Sequence, residues 1–170
     1  MDERDLVYKE WEKNLPKSAF NLEEWKRYYS NNKDTKGVAM PWFWEKLDDK
    51  AFSVWFVKYK FPEDLPTDLL AVNLAGGFMQ RLQNAKINKF GFGNLLVLGS
   101  GPFELRGAFV LRGTDKVPPQ LEDVTDYPSF EFTKVDITDQ KQKSKVADFW
   151  AWDGDFDGLA FDGYSAKTLK

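Results

Sequence analysis

Asp153, Asp155 and Asp157 alternate through "DGDFDG", the opening spacing of a calcium-binding loop, with Gly158 at its sixth position. Such a loop also needs a bidentate carboxylate at its twelfth position, and here that position is Tyr164. Its middle, Leu159, Ala160 and Phe161, is apolar. The stretch therefore reads as a solvated turn, and no metal is expected. Other acids stand in pairs, Glu45 with Asp48 or Asp49, and Glu63 with Asp64. Acid–base work by such pairs requires burial or like-charge crowding to tune them, and the sequence supplies no sign of either. Lys17 and Ser18 are neighbours in an extended segment, where adjacent side chains point apart. The chain contains no Cys and no His, which removes thiolate chemistry, disulfides, Ser-His-Asp triads and the commonest zinc sites. A non-catalytic chain without a cofactor is expected.

Anion chemistry fares no better. "GFGNLLVLGSG", residues 91 to 101, is glycine-rich, but it opens a strand, whereas a phosphate loop opens a helix. "RGAFV", residues 106 to 110, resembles an RNA-binding strand that is one residue short, with Phe109 on the packed face. The net charge of −3 provides no global field for a polyanion. What remains is aromatic. "PWFWEKLDDKAFSVWF", residues 41 to 56, holds Trp42, Phe43, Trp44, Phe52, Trp55 and Phe56. Trp55 and Tyr59 are expected to alternate onto the more polar face of a sheet, near Arg106, Arg112 and Glu131. Stacking and cation contacts there suit a base or a peptide. With Trp42 and Trp44, these residues form the expected partner-binding set.

The elements that must carry these residues follow from periodicity. "NLEEWKRYYSNN" predicts a helix capped by Asn21, with Glu24 at the capping-box position. "MPWFWEKL" predicts a short helix with Pro41 in its first turn. "AFSVWFVKYKF", residues 51 to 61, is the first strand. "TDLLAVNLAGGFMQRLQNAK" is the principal helix, with Ala71, Leu74, Phe78, Leu82 and Ala85 at helical spacing. Gly76 and Gly77 cost it about 1 kcal/mol each relative to Ala, which a close approach to the sheet would offset. "FGFGNLLVLG" and "FELRGAFVLRG" predict a hairpin around "SGP". In its second strand Phe103, Leu105, Phe109 and Leu111 face one way, and Glu104, Arg106, Val110 and Arg112 the other. One packed face and one nearer to water is the antiparallel pattern. "SFEFTKVDI" is the fourth strand, Asp139 to Trp150 the last helix, and a Gly/Asp-rich tail follows. The expected fold is α+β, an antiparallel β-sheet with helices packed on it in a ferredoxin-like arrangement.

At 170 residues, 42% apolar and 30% charged, the chain is long enough for one domain with a real core. Residues 1 to 14 read as a charged arm docking through Trp11, a linker remnant, and residues 15 to 170 as the domain. The longest apolar stretch, "LLAVNLAGGFM", is too short to span a bilayer, and the charged first residues lack the apolar core of a signal peptide. A cytoplasmic location without membrane partners is expected.

"LPKSAFNLEEWKRYYSNNKDT" (15 to 35), "MPWFWEKLDDKAFSVWFVKYKF", "NLAGGFMQRL" (73 to 82), "FVLRG", "YPSFEFTKVD" (127 to 136), "FWAWD" and the closing "DGYSAKTLK" occur in an order that resembles the C-terminal domain of the elongation factor 1-gamma family. The resemblance runs from Leu15 to Lys170. It implies an antiparallel sheet flanked by helices and a scaffold role in the eukaryotic translation elongation factor 1 complex. Nucleotide exchange there belongs to other subunits. It also implies an N-terminal transferase-like domain and a lysine-rich linker beyond this sequence, so Met1 is expected to be an introduced start. The implied partners are the other subunits and, indirectly, the GTP-binding elongation factor. The hairpin "GSGPFEL" and the Asp-rich turn depart from the family pattern. The alternative reading is an RNA- or tRNA-binding module at the ribosome, using a basic-aromatic sheet face.

Overall fold

The computed structural model describes residues 2–170. Five strands form one sheet: β1 Phe52–Tyr59, β2 Gly91–Leu98, β3 Glu104–Arg112, β4 Phe130–Lys134 and β5 Ala166–Leu169. They lie in the order β4-β1-β3-β2-β5, and every neighbouring pair is antiparallel. Among the described residues the six α-helices are α1 Glu3–Lys13, α2 Leu22–Asn31, α3 Met40–Lys46, α4 Asp68–Asn84, the single turn α5 Pro119–Glu122, and α6 Gln140–Ala151. The expected α+β architecture is present, and the first four strands have the ferredoxin-like order. Two departures are structural. Only α5 and a 3-10 turn lie between β3 and β4, while α6 follows β4 and packs on the face opposite α4.

The helix starts follow local chemistry. The Asn21 side chain accepts from the Glu24 amide at 3.0 Å, Thr67 from Leu70 at 3.3 Å, and Asp139 from Lys141 at 2.9 Å. Each satisfies an amide that the first helical turn leaves without a partner. The first helix, α1, buries none of its residues. It is held by Trp11, edge-on to Phe90 at 5.0 Å, and by Arg4 and Tyr8, which both donate to Asp123.

Over β2 and most of β3 both faces of the sheet are covered, which corrects there the expectation of a face nearer to water. On one face α4 lays Ala71, Ala75, Phe78, Met79 and Leu82 against Trp55, Val57, Leu95, Phe109 and Phe130. Phe78 stacks on Phe130 with centroids 4.1 Å apart. On the other face α2, α3 and α6 bring Trp25, Phe43 and Trp150 over Val54, Phe92, Ala108 and Val110. The physical signal is in β2, "GFGNLLVL", which is buried at every position and has no polar alternation. A strand without alternation is one covered on both sides. Gly77 sits on the flank of α4, and Gly76 at its contact with the edge strand β5. Gly77 lies under the Arg81 guanidinium and Gly76 beside the Lys167 stem. The C-terminal tail, expected as irregular, supplies β5. Four residues, two of them polar, carry too little strand signal to be read from sequence.

The Tyr29 hydroxyl donates to the Trp150 carbonyl at 2.5 Å, and burial pushes its pKa up to about 12. A phenol whose folded pKa lies above its unfolded value gives stability that is complete below the unfolded pKa near 10 and is lost as pH rises toward the folded value. Urea titrations between pH 9 and 12 should therefore show stability falling by up to about 3 kcal/mol from this group. Tyr29→Phe should flatten that segment of the curve and cost about 1 kcal/mol at neutral pH. An identical alkaline slope in the variant would remove Tyr29 as its source.

Candidate functional site

Over β2 and β3 the sheet is covered by α6, but on the same face β1 and β4 extend past the helix. The uncovered strip is a groove of about 200 Å³. Strand alternation decides its lining. On β1 the even-numbered residues face this side, and the ladder sets Phe56 beside Ala108 and Thr133, and Lys58 beside Arg106 and Glu131. From α6 come Lys145 and Phe149, and the turn beyond it contributes Asp157. Two bonds fix the end of α6. The Asn94 amide donates to the Phe149 carbonyl at 2.7 Å, and the Trp150 indole donates to the Ala108 carbonyl at 2.9 Å. Gly107 lets the neighbouring strands approach, because a Cβ there would stand 1.7 Å from the Asn94 carbonyl oxygen.

The charges of the groove form one chain. Arg106 donates to Glu104 at 2.7 Å and to Asp157 at 2.9 Å. Lys58 approaches Glu104 at 3.9 Å, and Lys145 approaches Asp157 at 3.9 Å. The cations are therefore already neutralised by carboxylates of the same site, above a floor of Phe56 and Phe149. The three aspartates of the "DGDFDG" turn go separate ways. Asp153 lies 3.6 Å from Lys36, Asp155 accepts from the Gly158 amide at 3.2 Å, and Asp157 joins Arg106.

The expected partner-binding residues are divided among four places. Arg106 and Glu131 stand together in the groove. Trp55 and Tyr59, each 8% exposed, lie on the opposite face under α4, which corrects their expected grouping with the two arginines. Trp55 pairs with Phe109 across the ladder and donates its indole N–H to Ser53 at 2.8 Å. Tyr59 lies 5.3 Å from Phe130, and burial raises its pKa, with Asp64 adding to the effect. Arg112 shares a face with Arg106 but sits at the far end of β3. There it covers Phe52 at 4.9 Å, donates to the Pro16 carbonyl, and has its pKa lowered by burial. Trp42 is half-buried, stacked on Tyr28 at 4.5 Å, and Trp44 is half-buried under the Lys143 ammonium at 5.1 Å. The sequence reading missed Phe56, Lys58, Lys145, Phe149 and Asp157. Lys58 was the available signal: the one charge in β1, it marks the even-numbered positions as the side nearer to water.

Together these features define an α+β module with a two-sided core and a salt-linked surface groove. Residues 8–115 match the family described as "Elongation factor 1 gamma, conserved domain". The chain is 43% identical over 145 residues to elongation factor 1-gamma of Schizosaccharomyces pombe, covering 84% of this chain and 34% of the relative. It is 39% identical over 158 residues to elongation factor 1-gamma-A of Xenopus laevis, covering 92% and 36%. It is 41% identical over 140 residues to elongation factor 1-gamma 2 of Saccharomyces cerevisiae, covering 82% and 33%. The chain belongs to the elongation factor 1-gamma family. It spans about a third of the length of these relatives.

Asn94 is buried, and its amide is what fastens α6 to β2. Asn94→Ala leaves the Phe149 carbonyl without that donor and should cost about 1–3 kcal/mol. Amide exchange should quicken at Phe149 to Trp152 more than in β1. Uniform acceleration, or a loss near zero, would show that α6 is held by other contacts.

Proposed function

We propose that this chain is a non-catalytic protein-binding module of the translation elongation factor 1 complex. In the cytoplasm it supports the subunits that carry out guanine-nucleotide exchange, and it reaches the GTP-binding factor indirectly. Family membership supports the setting. The observation that carries the protein-binding reading is the groove. Its cations are neutralised internally, so a polyanion would gain little by counterion release. Its aromatic floor suits a partner side chain instead. Arg106 and Glu131 are proposed contacts, with Trp42 and Trp44 as a second patch on α3. Trp55 and Tyr59 support the sheet beneath, and Arg112 holds the segment at Pro16.

Calorimetric titration of the chain against purified subunits of the complex tests this reading. Phe56→Ser and Arg106→Glu should each weaken binding at least about tenfold, a loss on the scale of an interface hot spot, while circular dichroism remains native. Affinity unchanged in both variants would sink the groove as the contact. Binding to tRNA that steepens as salt falls, with no binding to the subunits, would favour the nucleic-acid reading.

A further inference from the structure

Asp153, Asp157 and Asp162 are each followed by glycine. An Asp-Gly step is chemically weak. The glycine nitrogen can attack Cγ of the preceding aspartic acid, and a glycine has no Cβ to obstruct ring closure. The reaction needs a side chain free to swing toward that nitrogen, a carboxyl in its acid form, and an amide free of other bonds. The fold treats the three steps differently.

Asp157 and Asp162 are restrained. Arg106 holds the Asp157 carboxylate at 2.9 Å, with Lys145 at 3.9 Å. The Gly158 N–H after it donates to the Asp155 carbonyl at 3.0 Å and to the Asp155 carboxylate at 3.2 Å. The Asp162 carboxylate accepts from the Tyr164 amide at 2.9 Å, the Ser165 amide at 2.7 Å and the Ser165 hydroxyl. Such donors favour the carboxylate over the acid that must be attacked. Asp153 is freer, with a side chain 82% exposed. Among the described residues its only ion-pair partner is Lys36, which is 3.6 Å away and nearer to Asp148 at 3.0 Å. Among the same residues the Gly154 N–H meets no acceptor.

We propose that the Asp153-Gly154 step is a site of spontaneous covalent modification, at which aspartate converts to isoaspartate through a cyclic imide. The Gly154 nitrogen gives its proton to solvent and bonds to Cγ of Asp153. The carboxyl C–O bond breaks, and its oxygen leaves as water. Water then adds back to one of the two imide carbonyls. Addition at Cγ, with cleavage of the Cγ–N bond, restores aspartate. Addition at the main-chain carbonyl carbon, with cleavage of its C–N bond, leaves isoaspartate, whose main chain runs through Cβ and Cγ. One water leaves and one returns, so mass and oxidation state are unchanged and water is the only co-reactant.

The added main-chain atom falls where the chain has no slack. Gly154 lies against Asp148, and even a Cβ there would stand 2.5 Å from the Asp148 Cγ. Beyond it Phe156 and Asp157 hold left-handed φ angles of 51° and 55°, a strained path for residues other than glycine. That path ends at the bond from Arg106 to Asp157. Isoaspartate at 153 therefore lets the turn relax and frees Arg106 from one of its two carboxylates.

The test ages the 170-residue chain at neutral pH and body temperature. It is then digested with an endoproteinase that cuts before aspartate but not before isoaspartate, and mass spectrometry locates each missed cut. Isoaspartate should accumulate at 153 at least about tenfold faster than at 157 or 162, the factor that about 1.4 kcal/mol of local opening imposes on the restrained sites. In urea, with the fold removed, the three rates should converge. In the aged chain, amide exchange at Asp157 and Gly158 should quicken. An isoaspartyl methyltransferase with its methyl donor re-forms the imide from isoaspartate, and this treatment should slow that exchange again. Equal accumulation at the three positions in the folded chain, or the same ranking persisting in urea, would overturn the assignment of Asp153. Unchanged exchange at Gly158 in the isoaspartyl form would overturn the release of Arg106.

Discussion

The indole of Trp150 holds the second half of the molecule to the first. It is fully buried at the end of α6, donates to the Ala108 carbonyl in the middle of β3, and touches the rings of Trp25, Phe43 and Phe92. A central strand ordinarily spends its carbonyls on its neighbours, and this one also receives a side-chain donor because carbonyl oxygen has two lone pairs. A small residue makes room for the approach: Ala108, on the α6 face of β3, leaves the sheet low where the indole lands. Tyr29, bonded to the carbonyl of the same tryptophan, ties α2 to the same point. Three helices on one face thus share a single anchor.

That anchor also explains why a groove exists. With its last turn fixed over β2 and β3, α6 is too narrow to cover β1 and β4 as well. The exposed strip must then be made acceptable to water, and the charged chain from Lys58 through Glu104 and Arg106 to Asp157 does this. Partly exposed pairs of this kind add little stability singly. Their effect is to hold Arg106 in one orientation between two carboxylates and to keep the half-buried Phe56 between charges, with Phe149 buried beside it.

The sequence was most legible where one residue type has one physical use. Asn21 and Thr67 mark helix starts, Pro41 marks a first turn, and the period of α4 predicts its buried stripe. The alternation of elements suggested a ferredoxin-like arrangement, which the first four strands follow and which leaves out β5. Facing was harder. On β1 both alternating sets are apolar, Phe52, Val54 and Phe56 against Trp55, Val57 and Tyr59, so aromatic content cannot say which set meets which helix. Lys58 decides it, but one lysine at a strand end is a faint mark. In β3, Glu104, Arg106 and Arg112 suggested a wet face, yet Ala108 and Val110 between them are buried by a helix from far along the chain. The groove draws residues from β1, β3, β4, α6 and a turn, and no local spacing encodes such a meeting.

The register of β1 has a kinetic consequence. Its partners β3 and β4 both lie downstream, beyond α4 and the β2 strand, with Phe52 paired to Arg112 and Tyr59 to Phe130. Closing loops of that length is entropically slow to begin and is rewarded only once both ends meet. On a ribosome β1 therefore emerges well before anything that can pair with it. Its "FSVWFV" run is uncharged, aromatic and β-branched, the composition that seeks any open strand edge. For the time needed to synthesise the next fifty or so residues, the chain's safety rests on α4 and α2 screening that segment, and so on helices that form faster than the sheet.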